Sequence, residues 1–203
     1  MASDTKIICF RHCCSKSIFC KNVPKICPIC RSSIVNYNIE PFLVPYPYSN
    51  AKDEPTSIIV RPSEGTFLND YHIGDDLHIG ITHSGGIVVE YDKKGLIISD
   101  GAQWTNCIAI NIIPSSWKNH WTETLKLILK DTKWRSENYH EITMNCFNFV
   151  IEFINNLRYI DNKYIYFDNK ETMCDKLILP KLQDAVKYNS LFKQLKSTEY
   201  VIS

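Results

Sequence analysis

Apolar and polar positions change period along the chain, and those changes divide it. Between residues 57 and 112, short β-branched runs alternate with turn formers. The runs are Ser57-Ile58-Ile59-Val60-Arg61, Asp76-Leu77-His78-Ile79-Gly80-Ile81-Thr82, Ile87-Val88-Val89-Glu90-Tyr91, Gly95-Leu96-Ile97-Ile98 and Cys107-Ile108-Ala109-Ile110-Asn111-Ile112; Ser84-Gly85-Gly86, Asp92-Lys93-Lys94-Gly95 and Asp100-Gly101 punctuate them. That pattern predicts antiparallel hairpins forming a meander or a small barrel. The spacing then lengthens to that of helices. Trp117, Trp121, Leu125, Ile128 and Leu129 mark the inward stripe of a helix over 117–130, capped by Ser115 or Ser116. Cys146, Val150, Phe153, Ile154 and Leu157 mark a second, with Asn145 as its cap. Pro180 opens a third, in which Leu182, Val186 and Leu191 to Leu195 face inward. Strands followed by helices predict an α+β class, an antiparallel sheet or small barrel packed against helices.

Upstream, neither period holds. Pro41, Pro45 and Pro47, interleaved with Tyr37, Phe42, Tyr46 and Tyr48, predict an extended linker over 36–56 rather than a regular element. The expected division is a cysteine-rich module over 1–35, that linker, and an α+β domain over 57–203. No internal repeat is visible.

Composition narrows the class. A chain of 203 residues, 44% hydrophobic, suffices for one buried domain plus a small module. Its formal charge of +1 creates no field for nucleic acid or a membrane. Met1-Ala2-Ser3-Asp4-Thr5-Lys6 leads into Cys, Arg and His rather than an apolar run, and no stretch reaches membrane-spanning length. The expectation is a soluble protein of the cytoplasm or nucleus. Thiols stay reduced there, so clustered cysteines point to metal or to chemistry before disulfides.

Six of the nine cysteines lie in the first thirty residues: Cys9, Cys13, Cys14, Cys20, Cys27 and Cys30. Cys27-Pro28-Ile29-Cys30 has a zinc-knuckle spacing, because two intervening residues let one tight turn aim both sulfurs at a single tetrahedral ion. The other half of the site is expected from His12, Cys14 and Cys20. Cys13 can replace Cys14, and Cys9 with His12 makes a Cys-x-x-His alternative, so the choice of four stays open. Structural zinc is the expected cofactor. Lys6, Arg11, Lys16, Lys21, Lys25 and Arg31 make the module basic, but dispersed lysines of this kind describe a solvated face rather than a nucleic-acid site.

The helix starting at Cys146 carries the other candidate chemistry. A cysteine in the first turn sits at the positive end of the helix dipole, where a thiolate is favoured. Read alone, Cys146 is a small core residue; a base nearby changes that reading. Strand alternation puts His78, Gly80 and Thr82 on one face of their run and Leu77, Ile79 and Ile81 on the other. Gly80 leaves space beside His78, and Glu90 on the next strand can hold the imidazole in one orientation. Cys146, His78 and Glu90 thus form a candidate nucleophile, base and orienting acid.

The order of a strand carrying His78-Ile79-Gly80-Ile81, a hairpin, and later Asn145-Cys146-Phe147-Asn148-Phe149-Val150 opening a helix resembles the circularly permuted papain-like fold of lecithin:retinol acyltransferase-like enzymes. The resemblance implies His78 as base, Cys146 as nucleophile and Glu90 at the orienting position. Those acyltransferases usually carry a second histidine where Glu90 stands, and His-Phe where Asn148-Phe149 stands. A longer resemblance is to the makorin-2 opposite-strand family. It rests on Phe10-Arg11-His12-Cys13-Cys14-Ser15-Lys16, Val23-Pro24, Cys27-Pro28-Ile29-Cys30, Arg61-Pro62-Ser63-Glu64-Gly65-Thr66-Phe67-Leu68, Asp76 to Thr82 and Asn145-Cys146. It implies relatives without supplying a reaction. The functional expectation is a cysteine hydrolase or acyltransferase acting on an amide or acyl group; the alternative is a non-catalytic, zinc-containing adaptor that binds a protein partner.

Overall fold

The computed structural model describes residues 5–157 and 165–203. Residues 1–4, on which the expected lack of a leader rests, lie outside the described residues. The chain divides into two compact units, Met1–Pro47 with Asp184–Ser203, and Tyr48–Gln183. This differs from the expected boundaries at both ends of the chain.

The first unit is built on a four-stranded antiparallel sheet. Its strands are β1 (Ile8–Arg11), β2 (Ile18–Cys20), β3 (Ile39–Leu43) and β9 (Tyr200–Ile202), in the order β3-β1-β2-β9. The proline-rich stretch expected to be an irregular linker therefore contributes a strand. Pro41 is compatible with it because β3 lies at a sheet edge, where a missing N–H need not break a ladder. Phe10, Ile18, Cys20 and Cys27 form the small core, with the Tyr37 ring edge-on to Phe10 at 5.8 Å. The C-terminal strand pairs with β2, matching Phe19 to Val201. Residues near the end of the chain thus belong to the cysteine-rich unit rather than to the α+β domain assigned to them.

The second unit carries a five-stranded antiparallel sheet of β4 (Ile58–Pro62), β5 (Leu77–Thr82), β6 (Val88–Asp92), β7 (Gly95–Ser99) and β8 (Ile108–Ile110). Their order is β7-β6-β5-β4-β8. Four strands meander as their turn signals predict, and β8 then crosses to pair with β4, so the sheet is open rather than a barrel. Directly opposed residues of an antiparallel pair project to one face. Register places Arg61 opposite His78, and Ile59 and Glu90 on either side of Gly80. These five share a face, while Ile58, Val60, Ile79, Ile81, Val89 and Tyr91, all buried, form the other.

Two helices follow. α1 (Lys118–Ile128) buries Trp121, Thr124, Leu125 and Ile128; α2 (Cys146–Leu157) buries eight of its residues, including every position of the predicted stripe. A 3-10 turn, Ser115–Trp117, precedes α1 without any side-chain cap, so neither serine plays the expected role. Trp117 and Leu129 are half-buried rather than inward. α2 lies against β5 and β6 and packs on α1, where the Trp121 and Phe153 rings meet edge-to-face at 4.6 Å. Trp121 Nε1 donates to the Thr82 carbonyl at 2.9 Å, tying α1 to the strand that carries His78.

The last helical run begins earlier than Pro180. Asn169 caps α3 (Lys170–Met173) by accepting from the Thr172 amide at 2.9 Å; a π-helical turn, Cys174–Ile178, leads into α4 (Leu179–Gln194). The wider turn lies just ahead of Pro180, where the missing N–H and the ring must be accommodated. Ala185, Tyr188, Asn189 and Phe192 are buried, whereas Leu182, Val186 and Leu191 are half-buried. Tyr188 donates its hydroxyl proton to the Thr5 carbonyl. The whole is a mixed α and β chain with antiparallel sheets, and among the described residues no helix is long and apolar enough to cross a membrane.

Candidate functional site

Cys146 is the first residue of α2, and its setting is fixed by a reciprocal cap. Asn145 Oδ1 accepts from the Phe147 amide at 2.9 Å and the Asn148 amide at 3.4 Å, while Asn148 Oδ1 accepts from the Asn145 amide at 3.1 Å. Asn145 Nδ2 also donates to the Glu141 carbonyl at 2.6 Å. Two side chains of one helical turn thus satisfy one another's backbone donors, as a capping box does. Neither side chain accepts from the Cys146 amide, one of the first-turn donors that have no partner within the helix.

His78 and Glu90 meet diagonally across the β5–β6 pair. The imidazole Nε2 lies 2.6 Å from Glu90 Oε2, with only 14% and 9% of the two side chains exposed. The Cys146 thiol lies close enough to the ring to favour its charged form. With Nε2 committed to the carboxylate, Nδ1 is the nitrogen left for sulfur. Burial alone lowers the pKa of His78, but the hydrogen bonds and charges of Cys146 and Glu90 outweigh it and push the ring up to about 9. Burial works the other way on Glu90, raising it. Hydrogen bonds from His78 and Trp104, with the charges of His78 and Arg61, reverse this and hold the carboxyl below its usual range. The three expected residues are therefore brought together, and the ion-paired form of acid and base is the favoured one.

Two neighbours of this site carry no signal in the sequence reading. Trp104 Nε1 donates to Glu90 Oε1 at 3.2 Å and its ring lies 5.6 Å from the imidazole. Trp104 sits in a loop with no periodicity, so only the tertiary fold reveals it. Its place depends on Gly80: a Cβ there would stand 3.2 Å from the indole and 3.2 Å from the Val89 carbonyl oxygen. The space left by Gly80 is thus filled by Trp104 rather than open beside His78. Arg61, the second neighbour, stacks on the Trp104 ring at 5.0 Å.

A cleft of about 410 Å³ opens onto the thiol. His78, Cys146 and Asn145 line it together with Tyr139, Glu141 and Lys170. Lys170 Nζ rests 4.1 Å above the ring of Phe147, next in sequence to Cys146. Cys146 is 6% exposed, so its sulfur lies at the floor of this cleft rather than on the surface.

In the first unit, His12, Cys13, Cys27 and Cys30 each turn one ligand atom inward, all within 4.8 Å of one another. Cys13 Sγ is 3.9 Å from Cys27 Sγ, and Cys30 Sγ is 3.5 Å from His12 Nδ1. The Cys27-x-x-Cys30 turn is tight: the Arg31 amide bonds the Cys27 carbonyl at 2.9 Å, and the Ile29 amide approaches Cys27 Sγ at 3.4 Å. A hydrogen bond from the Ser32 amide helps lower Cys30 to about 6. Loss of hydration and the adjacent Cys30 and Cys27 sulfurs push Cys13 up to about 12. Three sulfurs so close cannot all ionise without a cation among them, and three thiolates with one imidazole suit a tetrahedral metal.

The cluster takes up one of the alternatives that the sequence leaves open. His12, Cys27 and Cys30 belong to it, but Cys13 stands in place of Cys14, and Cys20 does not take part. Cys20 is fully buried in β2, on the core side with Ile18. Cys9 is likewise a buried strand residue.

Comparison with known proteins covers both units. The chain is 27% identical over 202 residues to the MKRN2 opposite strand protein of Homo sapiens, spanning 97% of this chain and 89% of the human one. No solved structure matches. The DUF4796 N-terminal model matches residues 5–34, which hold the four clustered ligands, and the DUF4796 C-terminal model matches residues 41–195, which hold Cys146, His78 and Glu90. The chain belongs to the DUF4796 family.

Proposed function

We propose that the second unit is a thiol hydrolase or acyltransferase acting on an amide or acyl group, with a permuted papain-like arrangement of its catalytic elements. The observation that carries this reading is that Cys146 and His78 line one cleft, with the His78 ring 2.6 Å from Glu90 and driven to its charged form. A structural thiol in an apolar core has no use for a charged base.

The steps follow from these positions. Cys146 thiolate attacks the carbonyl carbon; the S–C bond forms and the carbonyl π pair moves to oxygen. The Cys146 amide, left outside the cap, donates to that oxyanion. As the tetrahedral intermediate collapses, the His78 imidazolium gives its proton to the leaving amine or alkoxide. The C–N or C–O bond breaks and a thioester remains. Water, or an acceptor amine or alcohol, then loses a proton to His78 and attacks the thioester, which returns the sulfur. Glu90 holds the ring in place and stabilises its charged form throughout.

The test is to incubate the protein with a p-nitrophenyl acyl ester and measure its intact mass. A single acyl adduct mapping to Cys146, absent in Cys146→Ser and not formed in His78→Ala, is expected. An unacylated Cys146 under conditions that acylate a free cysteine peptide sinks the enzyme reading and leaves a non-catalytic adaptor.

For the first unit, we propose that the metal is zinc and that its role is structural. The Cys₃His donor set closes a tetrahedron with no open position, which is the pattern of sites that hold a small fold together. The metal would stand in for the large apolar core that so short a sheet lacks.

A further inference from the structure

We infer that Arg61 is a positioning residue that keeps Glu90 a carboxylate and, through it, keeps His78 charged beside Cys146. The inference rests on the thiol reading above, but it concerns a residue that touches neither the cleft nor the sulfur.

A half-buried charge in an otherwise buried strand requires an explanation. Arg61 follows Ile58, Ile59 and Val60 in β4, and the register sets it directly opposite His78. Its guanidinium lies over the Trp104 ring, centroid distance 5.0 Å, and the same indole donates to Glu90. Hydrogen bonding does not account for the placement. Among the described residues Arg61 Nε is buried with no partner, and Nη1 reaches the Pro62 carbonyl only at 3.4 Å. Arginine has five donors suited to paired recognition, and no carboxylate pairs with them among the contacts of the described residues. What the position does use is the charge and the flat face.

The guanidinium and the Glu90 carboxylate meet the same indole, one over its face and the other at its N–H. That carboxylate is flanked by His78 from β5 and by the Trp104 indole, with Arg61 the second cation whose field reaches it. Cys146 from α2 acts on His78, the partner of that carboxylate. A buried carboxyl tends to keep its proton, and a neutral Glu90 would no longer hold the imidazole in its charged form. Arg61 opposes that loss without competing for the hydrogen bonds that orient the ring. Trp104 is the spacer that fixes its distance.

Two readouts on the full chain test this. Carboxyl carbon NMR of Glu90 against pH should show the midpoint moving up in Arg61→Met and staying within experimental error of wild type in Arg61→Lys. In the same proteins the acid limb of Cys146 alkylation should move to higher pH in Arg61→Met only, with the rate at mildly acidic pH falling about threefold or more. A folded Arg61→Met whose Glu90 midpoint does not move overturns the inference. If Arg61→Met does not fold, Arg61→Lys carries the test, and an upward shift there overturns it. Should the Glu90 midpoint respond as expected while Cys146 alkylates no faster than an ordinary thiol, the thiol reading fails and the role of Arg61 stands.

Discussion

In the first unit Cys13, Cys27 and Cys30 have other sulfurs and one imidazole as neighbours; in the second, Cys146 has one imidazole, a carboxylate behind it and a helix start beneath it. Both sites hold cysteine next to histidine, and the difference lies in what else is present. Crowded thiols oppose one another's ionisation, so the arrangement calls for a cation. A solitary thiol with a charged ring and a helix dipole can ionise by itself, and then it is a nucleophile rather than a ligand. The third neighbour, sulfur or carboxylate, decides which chemistry a Cys–His pair serves.

The strongest way to break the comparison is to remove the metal. Purified protein should carry about one equivalent of zinc by atomic emission; Cys13→Ser and Cys27→Ser should release it and abolish cooperative unfolding of the first unit, since structural zinc is worth about 10 kcal/mol or more in small modules. Cys14→Ser and Cys20→Ser should retain the metal. Release by Cys14→Ser but not by Cys13→Ser would contradict the assigned ligand set.

At the other site, Glu90→Gln keeps shape and removes charge. It should slow Cys146 alkylation by about a hundredfold at mildly acidic pH, a typical size for an acid–base group. Cys107, pushed up to about 12 by burial, and Cys174, also raised by burial, provide slow internal references. Tyr91→Phe points the other way in the sheet and removes only the bond from the tyrosine hydroxyl to the Arg135 carbonyl, costing about 1 kcal/mol of stability with little change in thiol reactivity. Equal effects of the two substitutions on alkylation would remove Glu90 from the site.

Gly80→Ala sharpens the point without touching any ionisable group. The added methyl meets Trp104 and the Val89 carbonyl at 3.2 Å, so overpacking should cost about 1–3 kcal/mol in denaturant unfolding. It should also displace the indole from Glu90 and slow alkylation. A fully stable variant with wild-type reactivity would show that Trp104 is not held there.

Stability should also follow pH in a definite window. His78 is raised in the folded state from 6.5 to about 9, so its contribution is complete below 6.5 and is lost as pH rises through about 9. Glu90 is lowered from 4.5, so its contribution is present above 4.5 and is lost as pH falls through its folded value. The unfolding midpoint of the second unit should therefore be highest between about 4.5 and 6.5 as far as this pair is concerned. His78→Ala should flatten the alkaline side of the curve; an unchanged slope would argue against the ion pair.

Much of the second site was legible because it rests on local rules. Period-two alternation placed His78 and Glu90 on one face, and Asn145 announced a helix start at Cys146. Trp104 and Arg61 were not legible as site residues: one lies in an aperiodic loop and the other reads as an ordinary strand residue until register sets it opposite His78. In the cysteine-rich unit the Cys27-x-x-Cys30 turn was local and visible, but Cys13 and Cys14 are adjacent, and only the folded geometry selects between them. Cys20 had a signal that was not used, since alternation through Ile18-Phe19-Cys20 puts it with Ile18 in the core. The pairing of β9 with β2 joins segments nearly a chain length apart, and three residues carry too little pattern to announce it.

The twelve-residue separation of His78 and Glu90 has a consequence for synthesis. Carboxylate and imidazole belong to one hairpin, whose closure is cheap in entropy and fast, whereas Cys146 arrives on a helix that leaves the ribosome much later. The growing chain thus carries a completed charge pair before it carries the sulfur that comes to lie beside it. Only when α2 docks on β5 and β6 does the thiol reach His78, so the reactivity proposed for Cys146 is a property of the finished unit and is absent from the nascent polypeptide.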